Sequence, residues 1–315
     1  MPKFKIRHIT KYAYEDTVRD SANQIMLYPL NDSWQEVLQH NIVITGNPVV
    51  NIHRDYYGNE VGTFTHAHPH KELGIDSRLL VETKHRPVPD DNTAQEQQWA
   101  ELKNLKNKIE YIDFLKLEKF QALPEVERLI EGQRVKQNSP LQTAKDLCEY
   151  TYKEFSYQKG ITTIETTVDE IWKIRSGVCQ DFAHILLVML RLTGIPARYV
   201  SGYVCPNKDG MRGEGATHAW VEAYIPFFGW LGLDPTNDCI ANDTHVRLAV
   251  GRNFSDCSPV KGTYRGTSSH TLEVAVTVSY EDGRTSIPDQ DPQSATITSS
   301  TKNSFRRYQE MQMQQ

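Results

Sequence analysis

Three residues whose side chains together support nucleophilic catalysis follow one another along the chain. Cys179 opens a long apolar run, His218 opens a stretch of alternating residues, and Asp234 ends the apolar stretch after that. A thiolate can attack a carbonyl carbon, an imidazole can move the proton, and a carboxylate can keep the imidazole in the required tautomer. In this order the three residues predict acyl transfer through a thioester intermediate.

The apolar spacing predicts that Cys179 lies in the first turn of a buried helix. From Cys179 to Leu190, apolar side chains recur at helical spacing, and the remaining positions are largely apolar too. Gly194 suits the left-handed residue that ends a helix, and Pro196 prevents continuation. The free backbone N–H groups of such a first turn favour a thiolate and can hold an oxyanion.

His218 is the predicted base, and the neighbouring His184 is not. Five residues of helix turn the chain through about 500°, so His184 faces away from Cys179. The residues that follow His218 alternate with a period of two, which is typical of a strand. A Pro-Phe-Phe-Gly turn then leads into a returning strand that ends at Asp234. We therefore expect His218 and Asp234 at the same end of one hairpin, where the carboxylate can orient the ring.

The motifs around these residues resemble the transglutaminase-like superfamily in its bacterial form. One motif reads Gly177-Val178-Cys179-Gln180-Asp181-Phe182-Ala183, and the second combines His218-Ala219-Trp220-Val221-Glu222 with Asp234-Pro235-Thr236-Asn237. The resemblance spans roughly residues 139–250 and carries the family's nucleophile, base and orienting acid onto Cys179, His218 and Asp234. It implies an α+β, papain-like core in which the helix with the cysteine packs on an antiparallel sheet.

The first part of the chain resembles the β-rich domain that precedes such cores in bacteria, on the motif Asp55-Tyr56-Tyr57-Gly58-Asn59. We predict a β-sandwich-like N-terminal domain at residues 1–88 and a helical connector at 89–138. The transglutaminase-like core with C-terminal strands follows at 139–283, and a polar tail at 284–315. The connector is highly charged over residues 93–118, so we expect it to be solvated.

Composition excludes several classes of protein. The 315-residue chain has a net charge of −5 and a pI near 6.1, which gives no indication of nucleic-acid binding. No apolar run reaches the roughly 18 residues of a membrane span, and the N-terminus lacks the apolar core of a signal peptide. Five irregularly spaced cysteines are typical of free thiols in a reducing compartment. We expect a cytoplasmic protein without a cofactor; its oligomeric state is not readable.

Several functional alternatives stay open from the sequence. If water resolves the thioester, the protein is a protease or amidase acting on a peptide or protein substrate; if an amine does, it is a cross-linking transglutaminase. The resemblance favours hydrolysis. A non-catalytic scaffold that binds peptides is a further alternative.

Other polar residues could supply different or additional chemistry. His66, His68 and His70 alternate and would share one face of a strand, as metal ligands of a hydrolase could. Trp220 and Tyr157 are candidates for the side chain that completes an oxyanion hole. We interpret Asp238, Asp243 and His245 as polar loop residues after the hairpin.

Overall fold

The computed structural model describes residues 1–118, 120–132, 137–205, 211–213, 216–266 and 268–283, together with the backbone of residues 293–299. The elements of the N-terminal region and the connector are β1 (Lys3–Ile25), β2 (Gln35–Ile44), β3 (Asn51–Arg54), β4 (Glu60–His66), β5 (His70–Thr83), α1 (Gln95–Leu105), α2 (Ile109–Leu115) and α3 (Leu123–Gly132).

The remaining elements begin with the core and end with three strands. They are α4 (Pro140–Glu154), β6 (Ser156–Tyr157), α5 (Val168–Ile174), β7 (Ser176–Gly177), α6 (Cys179–Thr193), β8 (Ala197–Val204), β9 (Thr217–Ile225), β10 (Gly229–Asp234), β11 (Cys239–Ile240), β12 (His245–Gly251), α7 (Phe254–Cys257), β13 (Val260–Arg265), β14 (His270–Tyr280) and β15 (Gln293–Ser299).

The N-terminal sheet is organised around the 23-residue strand β1, in which buried and exposed side chains largely alternate. The first half of β1 pairs with β5 and β14, and its second half pairs with β4 and β13, all antiparallel. The register shifts between Ala13 and Val18, where the strand changes partners. Such irregularities bend a sheet, so one strand contributes to two differently directed parts of it.

The C-terminal strands extend the N-terminal sheet rather than the core sheet. Strands β13 and β14, which the sequence analysis grouped with the core, both pair with β1. Residues 293–299, predicted to belong to a polar tail, form β15 on the outer edge of β14. The rest of the predicted tail, residues 284–292 and 300–315, lies outside the described residues. A strand as long as β1 exposes two rows of backbone groups, and these later strands satisfy one of them.

The core is α+β, as predicted. A five-stranded antiparallel sheet with the order β11-β10-β9-β8-β12 packs against α6. Nearly all of α6 is buried, including Phe182, Leu186 and Leu190, and these side chains share one hydrophobic cluster with β8, β9 and β10. The central helix is therefore buried on most sides, which fixes the position of its first residue, Cys179.

Local signals in the sequence set the helix ends as expected. Ser139 caps α4 by accepting a hydrogen bond from the Gln142 N–H at 3.1 Å. Thr167 and Glu170 form a reciprocal capping box at the start of α5. Gly194 ends α6 with a left-handed φ of 89°. None of the helices in the described ranges is long and apolar enough to cross a membrane.

The connector packs on the core instead of being solvated. Leu102 and Leu105 of α1 and Phe114 of α2 are buried, and the first two belong to the same hydrophobic cluster as α6. The Trp99 indole N–H also donates to the Asn138 carbonyl at 2.9 Å. The high charge of residues 93–118 concealed this apolar face, because charged residues occupy its exposed side.

The N-terminal sheet meets the core along the edge strand β12. The Gln35 amide donates to the Arg247 carbonyl at 2.8 Å and accepts from the Arg247 N–H at 2.7 Å. The Asn59 amide makes the same pair of bonds to Val250, both at 2.8 Å. Two side-chain amides thus occupy hydrogen-bonding positions that a neighbouring strand would otherwise fill, and they cover part of this sheet edge.

Candidate active site

Cys179 is the first residue of α6 and is half-buried, while the helix behind it is buried. The Asp181 carboxylate accepts hydrogen bonds from the Val178 N–H and the Thr162 hydroxyl, both at 2.7 Å. A Cβ at position 177 would collide with this carboxylate, which explains the glycine there. Burial raises the pKa of Asp181, whereas its two hydrogen bonds lower it less strongly. The contacts of Asp181 with Val178, Thr162 and Gly177 therefore hold the backbone around Cys179 at the start of α6.

Tyr157 lies beside the cysteine. The short parallel pairing of β6 and β7 puts Tyr157 opposite Gly177, two residues before Cys179. Burial, and then the charge of Cys179, raise the pKa of Tyr157 to about 12. The phenol therefore stays protonated near the thiol and keeps a hydrogen that it can donate. Trp220, the other candidate for this role, is almost fully buried and stacks on His218 with ring centroids 6.2 Å apart.

His218 connects the thiol with a buried carboxylate. Its Nε2 lies 2.8 Å from Asp234 Oδ2, and both side chains are buried. Its Nδ1 is buried and makes no hydrogen bond of standard geometry to the described residues. Burial lowers the pKa of His218, but the Asp234 carboxylate and then the interaction with Cys179 raise it more strongly, to about 10. The imidazole is thus held as a cation beside the Asp234 carboxylate.

Gly213 covers the Nδ1 side of this imidazole. It has a left-handed φ of 81°, and a Cβ there would come within 2.8 Å of His218 Nδ1. The absence of a side chain allows the backbone to approach the ring this closely.

Asp234 ends β10 and accepts four hydrogen bonds. Its Oδ1 accepts from the Thr236 N–H at 2.9 Å. Its Oδ2 lies 2.7 Å from Asn237 Nδ2, 2.8 Å from His218 Nε2 and 3.2 Å from His245 Nε2. Burial raises the pKa of Asp234, but His218 and the hydrogen bonds lower it more, so that the carboxylate is charged. The predicted hairpin therefore brings His218 and Asp234 together.

His245 is a site residue that the sequence interpretation missed. It was expected in a loop, but it is the first residue of β12 and is buried. The polar segment Asn242-Asp243-Thr244 in front of it suggested a loop, whereas the apolar alternation that begins with Val246 indicates the strand. Its approach to Asp234 depends on the pairing of β12 with β8, which no local pattern encodes.

Potential metal ligands converge at the same place. Among the described residues, the ligand atoms of His218, Asp234 and His245 lie within 4.8 Å of one another, close enough to hold a metal ion. These atoms already contact each other at direct hydrogen-bond distances, so an ion could enter only if they moved apart. His66 and His70 instead stack nearly parallel, with ring centroids 4.3 Å apart.

His184 has a structural position. Its Nε2 accepts a hydrogen bond from the Phe254 N–H at 3.2 Å, and its ring packs on Tyr199. Burial lowers the pKa of His184 to about 4, so the ring is neutral at physiological pH and can accept this bond.

Known proteins match both parts of the chain. The Transglutaminase-like superfamily matches residues 127–235, which include Cys179, His218 and Asp234. The Bacterial transglutaminase-like N-terminal region matches residues 4–82. The first match contains the central helix and most strands of the core, and the second contains strands of the N-terminal sheet.

Individual relatives extend over different shares of the chain. An uncharacterised protein of Mycobacterium tuberculosis is 33% identical over 290 residues, which cover 88% of this chain and 92% of the relative. A protein-glutamine gamma-glutamyltransferase of Pseudomonas aeruginosa is 35% identical over 97 residues, which cover 29% of this chain and 14% of that enzyme.

A solved structure shares the fold. The crystal structure of a proposed cysteine protease from Cytophaga hutchinsonii matches with a TM-score of 0.72 at 20% identity, and covers 92% of this chain and 93% of that one. Family matches, a relative aligned over most of its length and the shared fold lead to one conclusion. The chain belongs to the transglutaminase-like superfamily and carries the bacterial N-terminal region in front of its core.

Proposed function

We propose that this protein hydrolyses amide or peptide bonds through a thioester on Cys179. One observation carries the proposal: the His218 ring interacts with Cys179 as well as with Asp234, whose Oδ2 lies 2.8 Å from Nε2. Within the part of the chain that the structure describes, its Nδ1 makes no hydrogen bond of standard geometry. This is the arrangement by which a carboxylate fixes the tautomer while the second nitrogen exchanges a proton with the nucleophile.

The reaction follows from these positions. The Cys179 sulfur forms a bond to the substrate carbonyl carbon, and the oxygen becomes an oxyanion. The first backbone N–H groups of α6 and the Tyr157 hydroxyl are the donors available to that oxyanion. His218 then gives its Nδ1 proton to the leaving amine as the carbon–nitrogen bond breaks, and a thioester remains. Water, deprotonated by Nδ1, attacks the thioester and releases the acid and the thiolate.

The competing resolution of the thioester uses an amine instead of water. The local similarity to a protein-glutamine gamma-glutamyltransferase supports this second candidate, whereas the overall fold match to a proposed cysteine protease accords with hydrolysis. A peptide or protein substrate and a cytoplasmic location stay predictions.

Alkylation with iodoacetamide tests whether Cys179 is a nucleophile. Cys239 is the matched control, because it is also half-buried. Burial raises the pKa of Cys239 to about 12, so very little of it is thiolate at neutral pH. We expect Cys179 to react at least about tenfold faster than Cys239 at pH 7, and His218→Ala to remove most of this advantage. Equal, slow labelling of both thiols would support the non-catalytic scaffold instead.

Product analysis separates the two resolutions of the thioester. The protein is incubated with unfolded casein, with and without an excess of a primary amine, and the products are examined by mass spectrometry. Hydrolysis gives new peptide termini or deamidated side chains in both reactions, while transamidation gives amine adducts in the second. Cys179→Ala should abolish either product, and Cys239→Ala should leave the product unchanged. Products that persist in Cys179→Ala would contradict the proposal.

A further inference from the structure

Within the part of the chain that the structure describes, the ring nitrogens of His245 have two polar partners, Asp234 of the candidate active site and the adjacent Thr244. Its Nε2 lies 3.2 Å from Asp234 Oδ2, and its Nδ1 lies 3.2 Å from the Thr244 hydroxyl. The ring meets Trp220 edge-on with centroids 5.1 Å apart, and Trp220 in turn stacks on His218. His245 therefore touches both the carboxylate partner and the aromatic support of the imidazole.

Because the Asp234 carboxylate is charged, His245 must be the donor in the hydrogen bond between them. A charged carboxylate offers only acceptors, so the proton between His245 and Asp234 has to be on His245 Nε2. Thr244 can donate its hydroxyl hydrogen to Nδ1, so this second nitrogen can act as an acceptor. Asp234 Oδ2 then accepts from His245, His218 and Asn237 at once. Three donors on one oxygen share its two lone pairs, and each weakens the pull on the others.

We propose that His245 is a positioning residue, whose Nε2–H fixes the Asp234 carboxylate and takes up part of its charge, so that Asp234 binds the His218 imidazolium less tightly. The inference rests on the proposed function and adds to it. A general acid must release its proton during the reaction, and an imidazolium that its carboxylate stabilises too strongly is a poor acid. A second donor on the same oxygen weakens this ion pair, while the carboxylate still orients the His218 ring.

The strand that carries His245 is held by the N-terminal domain. His245 begins β12, and the Gln35 amide bonds both backbone groups of Arg247, two residues further along. Leu30 adds a backbone hydrogen bond from its N–H to the Arg247 carbonyl at 3.2 Å. The N-terminal domain thus contributes to placing the second imidazole against Asp234.

Other charged groups lie near His245 and have to be considered in a pH experiment. On the active-site side these are Asp234, His218 and, beyond the ring of His218, Cys179. On the opposite side a small cavity next to His245 is lined by the charged residues Lys84, Arg86, Glu222 and Arg247. These four residues are the same in the wild type and in the variants compared below, so any effect of this side is common to all the pH profiles.

The test compares two substitutions in the full-length protein. In His245→Gln the amide nitrogen can take roughly the place of Nε2 and still donate to Asp234, whereas His245→Leu has no donor. The readout is the rate of Cys179 alkylation by iodoacetamide between pH 5 and about 11. The rate should rise in an upper step when His218 loses its proton and releases a free thiolate.

The inference predicts different profiles for the two variants. In His245→Leu the upper step should move to higher pH by about one unit, since one charge-assisted hydrogen bond to Asp234 is lost. In His245→Gln the step should stay within a few tenths of a unit of the wild type. Because the readout is a pH profile, a general loss of stability does not reproduce this contrast.

Two outcomes overturn the inference. An upper step that is unmoved in His245→Leu, or that moves equally in both variants, shows that His245 only fills space. Wild-type protein separates this failure from that of the proposed function. If Cys179 reacts faster than Cys239 in the wild type but the upper step is the same in both variants, the inference about His245 is wrong while the proposed function stands. If Cys179 shows no advantage in the wild type, the proposed function fails first.

Discussion

Two carboxylates, Asp234 and Glu222, are completely buried in the same sheet but have partners of different chemistry. Asp234 on β10 faces two imidazoles, at 2.8 and 3.2 Å. Glu222 on β9 faces three guanidinium groups, those of Arg198 at 2.6 Å, Arg86 at 3.6 Å and Arg247 at 3.7 Å. Although burial alone raises a carboxyl pKa, the cations lower the pKa of both groups below their ordinary values.

The difference lies in whether the partner can give up its charge. A guanidinium stays protonated at every accessible pH, so the Glu222 cluster has no proton to move. An imidazolium can release its proton, so the Asp234 cluster can take part in acid–base chemistry. The position of each cluster agrees with this division: His218 connects Asp234 with the half-buried Cys179, whereas Glu222 connects different parts of the chain.

The Glu222 cluster connects three regions of the molecule. Arg198 and Arg247 come from the core strands β8 and β12, and Arg86 comes from the segment after β5. Arg247 also contacts Asp32 of the N-terminal region at 2.5 Å. We interpret this network as a structural contact between the two sheets, and Asp234 as the centre of the chemistry.

The largest expected effect comes from Asp234→Asn. The amide cannot stabilise an imidazolium and permits the wrong tautomer of His218, so kcat/KM for the casein reaction should fall by about 10⁴-fold. Glu222→Gln is the matched substitution and should leave kcat/KM per folded molecule within about threefold of the wild type. A similar fall in both variants would remove the functional distinction between the two carboxylates.

For the free energy of unfolding we expect the opposite order, with the larger loss in Glu222→Gln and the smaller loss in Asp234→Asn. Glu222→Gln leaves the buried Arg247 and the partly buried Arg86 and Arg198 without the carboxylate they share. Removing one partner of a buried ion pair costs about 3–5 kcal/mol. Asp234→Asn should cost less, because His218 can become neutral once the carboxylate is gone. Urea unfolding of both variants, followed by circular dichroism, measures the two free energies of unfolding. A greater loss in Asp234→Asn would contradict the argument from partner chemistry.

Sequence reasoning recovered the features that depend on neighbouring residues. The helix from Cys179 to Gly194, the caps at Ser139 and Thr167 and the hairpin that joins His218 to Asp234 all follow from local spacing. The positions of Cys179, His218 and Asp234 in these elements were accessible because a single helix and a single hairpin carry them.

The contacts that the sequence did not indicate depend on the pairing of strands that lie far apart along the chain. His245 reaches Asp234 through the order of strands in the core sheet, and Arg86 reaches Glu222 across 136 positions of the chain. The pairing of β13 and β14 with β1 joins residues from opposite ends of the chain. Alternation predicts that a segment is a strand, but it does not name the neighbour with which that strand pairs.

The Asp234 and Glu222 clusters should also differ in how their contributions to the free energy of unfolding depend on pH. The pKa of His218 is raised from 6.5 to about 10, so its contribution is complete below pH 6.5 and is lost as the pH rises towards 10. The pKa of Glu222 is lowered, so its contribution is complete above pH 4.5 and does not change in this range. The free energy of unfolding should therefore decline above pH 6.5, by at most about 1.4 kcal/mol per pH unit from this group.

His218→Gln is the control for this prediction. The variant has no imidazole at the site, so the part of the decline that belongs to the Asp234 cluster should disappear. Glu222→Gln should retain it, at a lower overall stability. Unfolding in urea at pH 6.5, 8 and about 9.5 is sufficient to compare the slopes. An equal slope in wild type and His218→Gln would show that the ring does not hold its proton in the folded state.

The smallest expected effects come from the two amides that bind β12. Gln35→Ala and Asn59→Ala each remove a donor and an acceptor from a buried backbone pair, which should cost about 1–3 kcal/mol. Their effects on the thiol should differ, because Gln35 binds Arg247, two residues from His245, whereas Asn59 binds Val250, five residues away. Gln35→Ala should thus move the upper step of Cys179 alkylation to higher pH by a few tenths of a unit, and Asn59→Ala should not. If both substitutions lower stability but neither changes alkylation, the N-terminal domain supports the core sheet without influencing the geometry around Asp234.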